Sequence, residues 1–106
     1  MLLELHTISR DNLFDAQATY NDGKVTVHKG SRINLKSGKG FNPSDMIKRY
    51  LSDSTLVGEN GILLRDETFE SLSTAATFVA GRVSNGMITW KTPDNRYVRY
   101  TLKADK

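Results

Sequence analysis

Residues 69–91 read FESLSTAATFVAGRVSNGMITWK, an order of residue types that predicts strand end, capped helix, glycine turn and strand. Ser71 is a good N-cap, because its hydroxyl can accept a hydrogen bond from an orphan backbone N–H of the first helical turn. Leu72, Ala75, Ala76 and Val79 follow at i, i+3, i+4 and i+7, one face of a short amphipathic helix. The paired alanines let the helix axis lie close to whatever it covers, here a sheet. Gly81 stands where a left-handed C-terminal cap is expected. Asn85-Gly86 is a strong turn signal, after which residues 87–91 read as a strand. That strand carries Trp90, the one tryptophan of the chain, which reads as a core residue rather than a ligand contact.

Upstream, residues 14–20 alternate. Phe14, Ala16, Ala18 and Tyr20 point one way, while Asp15, Gln17 and Thr19 point the other, the period of a strand with one wet face. Asn21-Asp22-Gly23 supplies the residues of a tight hairpin, and residues 24–28 return with Val25 and Val27 inward. Residues 2–7 predict a short strand and Ser9-Arg10-Asp11-Asn12 a turn. Asn42-Pro43 predicts a helix start with Asn42 as cap, its apolar face marked by Met46, Ile47, Tyr50 and Leu51. Gly58 and Gly61 mark a turn, residues 62–64 a short buried strand, and Thr68-Phe69 another extended piece. Thr92-Pro93-Asp94-Asn95 reads as a turn. Residues 97–102 read as a final strand with Tyr97 and Tyr100 on opposite faces, and residues 103–106 as a frayed end. The expected fold class is α+β, a mostly antiparallel sheet with two short helices packed on it.

Bulk properties bound the function. At 106 residues the chain fits one domain, 1–106, able to bury a core without staples. Apolar residues make up 38% and charged residues 25%, a balance that favours a folded domain over a disordered tail. No apolar run is long enough to span a bilayer, and the N-terminus lacks the basic and apolar regions of a signal peptide. The expectation is a cytoplasmic protein with no membrane association. Cysteine is absent, which excludes disulfides, thiol catalysis and cysteine zinc sites. His6 and His28 have no partner at ligand spacing, so neither metal nor cofactor is expected. Lys36-Ser37-Gly38-Lys39-Gly40 lacks the spacing of a phosphate-binding loop, and no nucleophile elbow exists. Asp66 and Glu67 are sequence neighbours that would face apart on a strand; they read as a solvated hairpin turn. No catalytic constellation emerges, and the chain does not read as an enzyme.

The net charge of +3 is mild; its placement says more. Lys24, Lys29, Arg32, Lys36 and Lys39 form a run with no acid between Lys24 and Lys39. In Lys29-Gly30-Ser31-Arg32, with Lys36 and Lys39 beyond, backbone N–H groups, a hydroxyl and cations can hold a phosphate; an ordinary solvated loop has the same composition. In residues 81–86, Arg82 can offer a fork to a phosphate or a guanine edge and Asn85 one to an adenine edge. The competing structural reading gives the glycines and Asn85 to backbone geometry and Arg82 to the helix-end carbonyls. The candidate nucleic-acid contacts are therefore Lys29, Ser31, Arg32, Lys36, Lys39, Arg82, Ser84, Asn85 and Lys91.

Phe69-x-Ser71-x-Ser73-x-Ala75-Ala76, Gly81-Arg82-x-x-Asn85-Gly86 and Trp90-Lys91 resemble the signature of domain-of-unknown-function family 4357. The alternating strand from Ala16 and the element Val27-His28-Lys29-Gly30-Ser31 resemble the same family, so the likeness brackets about residues 14–91. The helix, the Gly-Arg-x-x-Asn-Gly turn and the aromatic strand also resemble, more distantly, the restriction-and-methylase-associated domain. Two positions depart from the family pattern: Leu72 where members often carry Pro, and Met87 where they often carry Trp. The resemblance implies a non-catalytic accessory module of restriction or nuclease-type systems, with DNA as a partner, its methylation dependence open, or a nuclease or methylase protein. The chain shows no nuclease half, so such a module would stand alone or act in trans. The rival expectation is a protein-interaction or scaffold domain using exposed apolar surface at Leu56-Val57 or Met87. Oligomeric state is open.

Overall fold

In a computed structural model, which describes residues 2–36 and 41–104, an antiparallel sheet takes the strands in chain order: β1 (Leu2–Ile8), β2 (Asp15–Asn21), β3 (Lys24–Val27) and β4 (Glu67–Phe69). Cross-strand register follows the alternation in sequence. Leu5 pairs with Ala18, Thr7 with Ala16, Ala18 with Val27 and Val25 with Phe69, and all of these side chains are buried. The other face is polar, with Glu4 opposite Thr19 and Thr26 opposite Thr68, whose hydroxyls bond at 2.8 Å. The β2–β3 hairpin closes on Asp22 (φ 50°) and Gly23 (φ 88°), the two successive positive φ angles of a tight primed turn.

Among the described residues there are three α-helices, α1 (Asp45–Ser52), α2 (Leu72–Ala80) and α3 (Val98–Ala104). The α+β class is as expected from sequence; the third helix is not. In α2 the Ser71 hydroxyl accepts from Thr74 N at 3.1 Å, and Gly81 closes the helix at φ 71°. The apolar face is wider than the four expected positions, because Thr77, Phe78 and Ala80 are buried too. A helix apolar nearly all round belongs inside, and α2 sits against β3 and β4 with α1 and the 86–88 turn on its other sides. Phe78 stacks with Phe69 and Tyr50 at centroid distances of 4.9 and 6.1 Å, which ties α1, α2 and β4 into one core. The cap of α1 is Ser44 rather than Asn42, so Pro43 lies just outside the helix.

Residues 87–91 are not a strand. Gly86–Ile88 forms a 3-10 turn, here η1. The Asn85 side chain accepts from Met87 N at 2.9 Å, and Trp90 N donates to Gly86 O at 3.2 Å. Local bonds from a capping residue win over the ladder. Trp90 is fully buried, as expected, and its Nε1 donates to Leu72 O at 3.1 Å. Lys91 does reach the sheet, by a single bridge to His6 on the otherwise free edge of β1.

Residues 97–102 are not a strand either: Tyr97 makes a single antiparallel bridge to Lys91, and residues 98–102 are helical. Val98, Thr101 and Leu102 fall at i, i+3 and i+4 and face inward, toward η1. Helix α3 runs to Ala104, and the last two positions of the end expected to fray, 105 and 106, lie outside the described residues. Residues 62–64 form isolated bridges only, Arg32 with Ile62 and Val57 with Leu63, and of the three residues Leu63 alone is buried. Asp66 and Glu67 are not a hairpin turn: Asp66 accepts from Lys29 N at 2.7 Å, and Glu67 begins β4.

Asp53 ends α1 and joins it to the approach to β4. Its carboxylate accepts from the Thr55 hydroxyl at 2.6 Å and the Thr55 N–H at 2.9 Å, and Arg65 bridges it to Glu67 at 3.2 and 2.6 Å. The Thr55 bonds first, and the Arg65 charge after them, hold the Asp53 carboxyl below the ordinary carboxylate value. A depressed folded-state value stabilises the fold above the unfolded-state value, and that contribution fades as pH falls through the folded one. Carboxyl NMR titration should show Asp53 protonating below the usual range, and Thr55→Ala should move it back up.

Gly86 packs its backbone directly on Leu72, and an added Cβ would run into the Leu72 carbonyl. Gly30, at φ 90°, has open space around it. Urea unfolding should show Gly30→Ala costing about 1–2 kcal/mol through backbone strain, and Gly86→Ala about 3 kcal/mol or more through overpacking.

Candidate functional site

The end of β1, the turn after it, the loop following Ile33 and the C-terminal end of α2 surround a cleft of about 640 Å³, with η1 and Tyr97 completing its wall. Each part of that wall is fixed by local bonds. The Ser9 hydroxyl accepts from Leu13 N at 2.6 Å and Phe14 N at 3.2 Å, which folds the turn bearing Arg10 and Asp11. Asn12 takes φ 59° there, and Arg32 holds it from outside, donating to Asn12 O at 2.8 Å and Asn12 Oδ1 at 2.7 Å.

Asn34 fixes the opposite wall. Its N–H donates to Val79 O and its Nδ2 to Ala80 O, both at 2.9 Å, while its Oδ1 accepts from Lys36 N at 2.8 Å. Two carbonyls that the end of α2 would leave unsatisfied are thereby capped, and Lys36 is set beside them. Gly81 is required there by its positive φ and by closeness, because a Cβ would meet Asn34 O at 2.9 Å. Lys91 is held by backbone bonds to His6 at 2.8 and 2.9 Å, and its Nζ lies 5.3 Å from the Tyr97 ring centroid.

Four cations, Arg10, Lys36, Arg82 and Lys91, line this one cleft, with Asp11 as the acid among its lining. Arg10, Lys36 and Arg82 are exposed, and their side chains make no hydrogen bond or ion pair among the described residues. The cleft thus gathers three of the sequence candidates, Lys36, Arg82 and Lys91. It adds Arg10, which reads in sequence as part of a polar turn and gives no sign of its destination.

The other candidates do other things. Ser31 is fully buried, its hydroxyl accepting from Gln17 N at 3.0 Å and donating to Gln17 O at 3.2 Å, so it has no surface to offer a ligand. Arg32 is the clamp on Asn12 described above. Ser84 donates to Arg82 O at 2.9 Å, and Asn85 caps η1. Lys29 is exposed beside Asp66, outside the cleft lining. Lys39 lies outside the described residues. The apolar positions expected to serve a protein partner turn inward: Leu56 is buried, and Val57 and Met87 pack partly buried against the core. Exposed apolar surface lies instead at Val83, 81% exposed, and at Ile8 and Ile88 on the cleft rim.

A smaller hollow of about 300 Å³ on the polar face of the sheet brings His6 and His28 together. His28 Nε2 bonds Thr19 Oγ1 at 2.7 Å and His6 Nε2 bonds Asn95 Oδ1 at 3.2 Å. Among the described residues no group of three or more His, Cys, Asp or Glu side chains could hold a metal ion. Among the described residues, too, no helix is long and apolar enough to cross a membrane.

The family model described as Domain of unknown function (DUF4357) matches residues 7–101, which take in the cleft and both of its walls. The chain belongs to this family. No curated protein and no solved structure matches it. Of the two departures from the family pattern, Leu72 occupies the first position of α2, where proline is also at home, and Met87 is partly buried against the core.

Asn34 is the residue on which the cleft geometry turns. Asn34→Ala should lower stability by about 1–3 kcal/mol by leaving the Ala80 carbonyl without its partner. Hydrogen exchange at the Lys36 amide should speed up in the same variant.

Proposed function

We propose that this domain is a non-catalytic module that binds DNA through the cleft, in the service of restriction or nuclease-type systems. The observation that carries this reading is the convergence of Arg10, Lys36, Arg82 and Lys91 on one concavity whose lining holds a single carboxylate. Cations gathered this way attract a polyanion and release its counterions on contact. The cleft lining includes no histidine or cysteine, and the Ser9 hydroxyl already accepts two backbone N–H groups. The resemblance of the helix and the Gly-Arg-x-x-Asn-Gly turn to the restriction-and-methylase-associated domain supports the same reading, although its third element, the aromatic strand, is a 3-10 turn and a coil here.

A second reading, docking onto a protein partner, draws on the exposure of Val83, Ile8 and Ile88. It has no anion requirement. Sedimentation with a nuclease or methylase partner would show a complex indifferent to salt.

Binding to DNA should weaken steeply with salt, the slope of log K against log salt scaling with the number of phosphates contacted. Arg82→Ala and Lys91→Ala should each weaken binding and reduce that slope by about 1. Lys48→Ala, on the exposed side of α1 and outside the cleft lining, should leave both unchanged. Salt-independent titrations, or equal effects of all three substitutions, would refute the cleft as the DNA site.

A further inference from the structure

The cleft is not built for phosphate alone. Beside its four cations it exposes apolar surface, with Ile8 58%, Ile88 44% and Tyr97 40% exposed. A closed duplex presents sugars and phosphates on its outside and keeps its base faces stacked within, so those side chains would gain little from it. An unpaired strand offers both chemistries, a charged backbone and free base faces that stack on aromatic rings.

The same pairing continues outside the cleft. Tyr97 is the residue just before α3, and the run Arg96-Tyr97-Val98-Arg99-Tyr100 interleaves cations with rings. Tyr100 is 50% exposed, with the Arg96 and Arg99 guanidiniums 5.7 and 5.3 Å from its centroid. Lys91 stands in the same relation to Tyr97. These cations lie over the ring faces, so a base stacking on either ring takes a free part of the face or displaces the cation toward the base's own phosphate. The nearby acid, Asp94, is hydrogen-bonded by the Thr92 hydroxyl. The expected strand would have put Tyr97 and Tyr100 on opposite faces of a sheet; in the helical fold both rings are exposed.

We infer that the DNA bound by this domain is single-stranded, one base entering the cleft against Tyr97 and the strand continuing along the start of α3 over Tyr100. This rests on the cleft being a DNA site and adds which form of DNA it takes. Fluorescence anisotropy with a labelled single strand of about twenty nucleotides and with its fully paired duplex separates the two ideas. The single strand should bind at least about tenfold more tightly than the duplex. Tyr97→Ala and Tyr100→Ala should each weaken single-strand binding by about 5- to 100-fold and leave residual duplex binding unchanged. Tyr97→Phe, which keeps the ring and the fold, should bind like the parent chain. Duplex bound as tightly as single strand, or a single-strand preference that survives both alanine variants, would overturn the inference while leaving the DNA site standing. Binding of neither form would remove both.

Discussion

The junction of Trp90 and Gly86 with the first turn of α2 is the constraint on which the rest of the molecule depends. The indole N–H reaches the Leu72 carbonyl, Gly86 N donates to the Ser73 hydroxyl, and the Gly86 backbone lies against Leu72 where no Cβ fits. A fully buried aromatic side chain contributes several kcal/mol of transfer free energy, of order 2–3 kcal/mol, but only if its polar edge is satisfied. Meeting both demands forces the chain to coil through η1 rather than extend. That coil delivers Lys91 to the open edge of β1 and Val98 to the carbonyl of Trp90, at 2.8 Å, so that α3 starts beside the cleft. One side of the candidate site is thus a consequence of how one tryptophan is buried.

The opposite side follows from the end of α2. A helix C-terminus carries partial negative charge on its last carbonyls and favours nearby cations. Asn34 and Gly81 satisfy Val79, Ala80 and Thr77 by hydrogen bonding. Lys36 and Arg82 follow that helix end closely in the cleft wall.

Much of this was legible in the sequence where a local rule and the tertiary demand agreed. The alternation at 14–20, the Asp22-Gly23 turn, Ser71 and Gly81 each carry a signal that the fold uses as written. The signal failed at residues 87–91 and 97–102, where β-branched and aromatic residues argue for strands. At the first, Asn85 accepts from Met87 N and the 3-10 turn outcompetes the ladder. At the second, Val98, Thr101 and Leu102 had the helical spacing, masked by the strand-like composition of the same residues. A motif also hides its own structural use: Ser31, Arg32 and Asn85 look like ligand contacts by type, and each makes hydrogen bonds within the fold.

The cleft itself was illegible for a different reason. Its cations sit at positions 10, 36, 82 and 91, on four segments that no local pattern joins, while the described members of the basic run, Lys24, Lys29, Arg32 and Lys36, are divided among β3, an exposed loop, a clamp on Asn12 and the cleft wall. What brings the four together is hydrogen bonding to their backbone segments: the Ser9 hydroxyl to its turn, Asn34 to α2 and to Lys36, the Ser84 hydroxyl to Arg82, and Lys91 to His6. Each charged side chain therefore starts from an anchored Cα and spends its rotamer freedom alone on reaching a ligand. Anchoring removes the backbone part of the ordering cost, which for a flexible loop runs to about 1–2 kcal/mol per residue. That difference separates a shaped binding surface from a merely basic one.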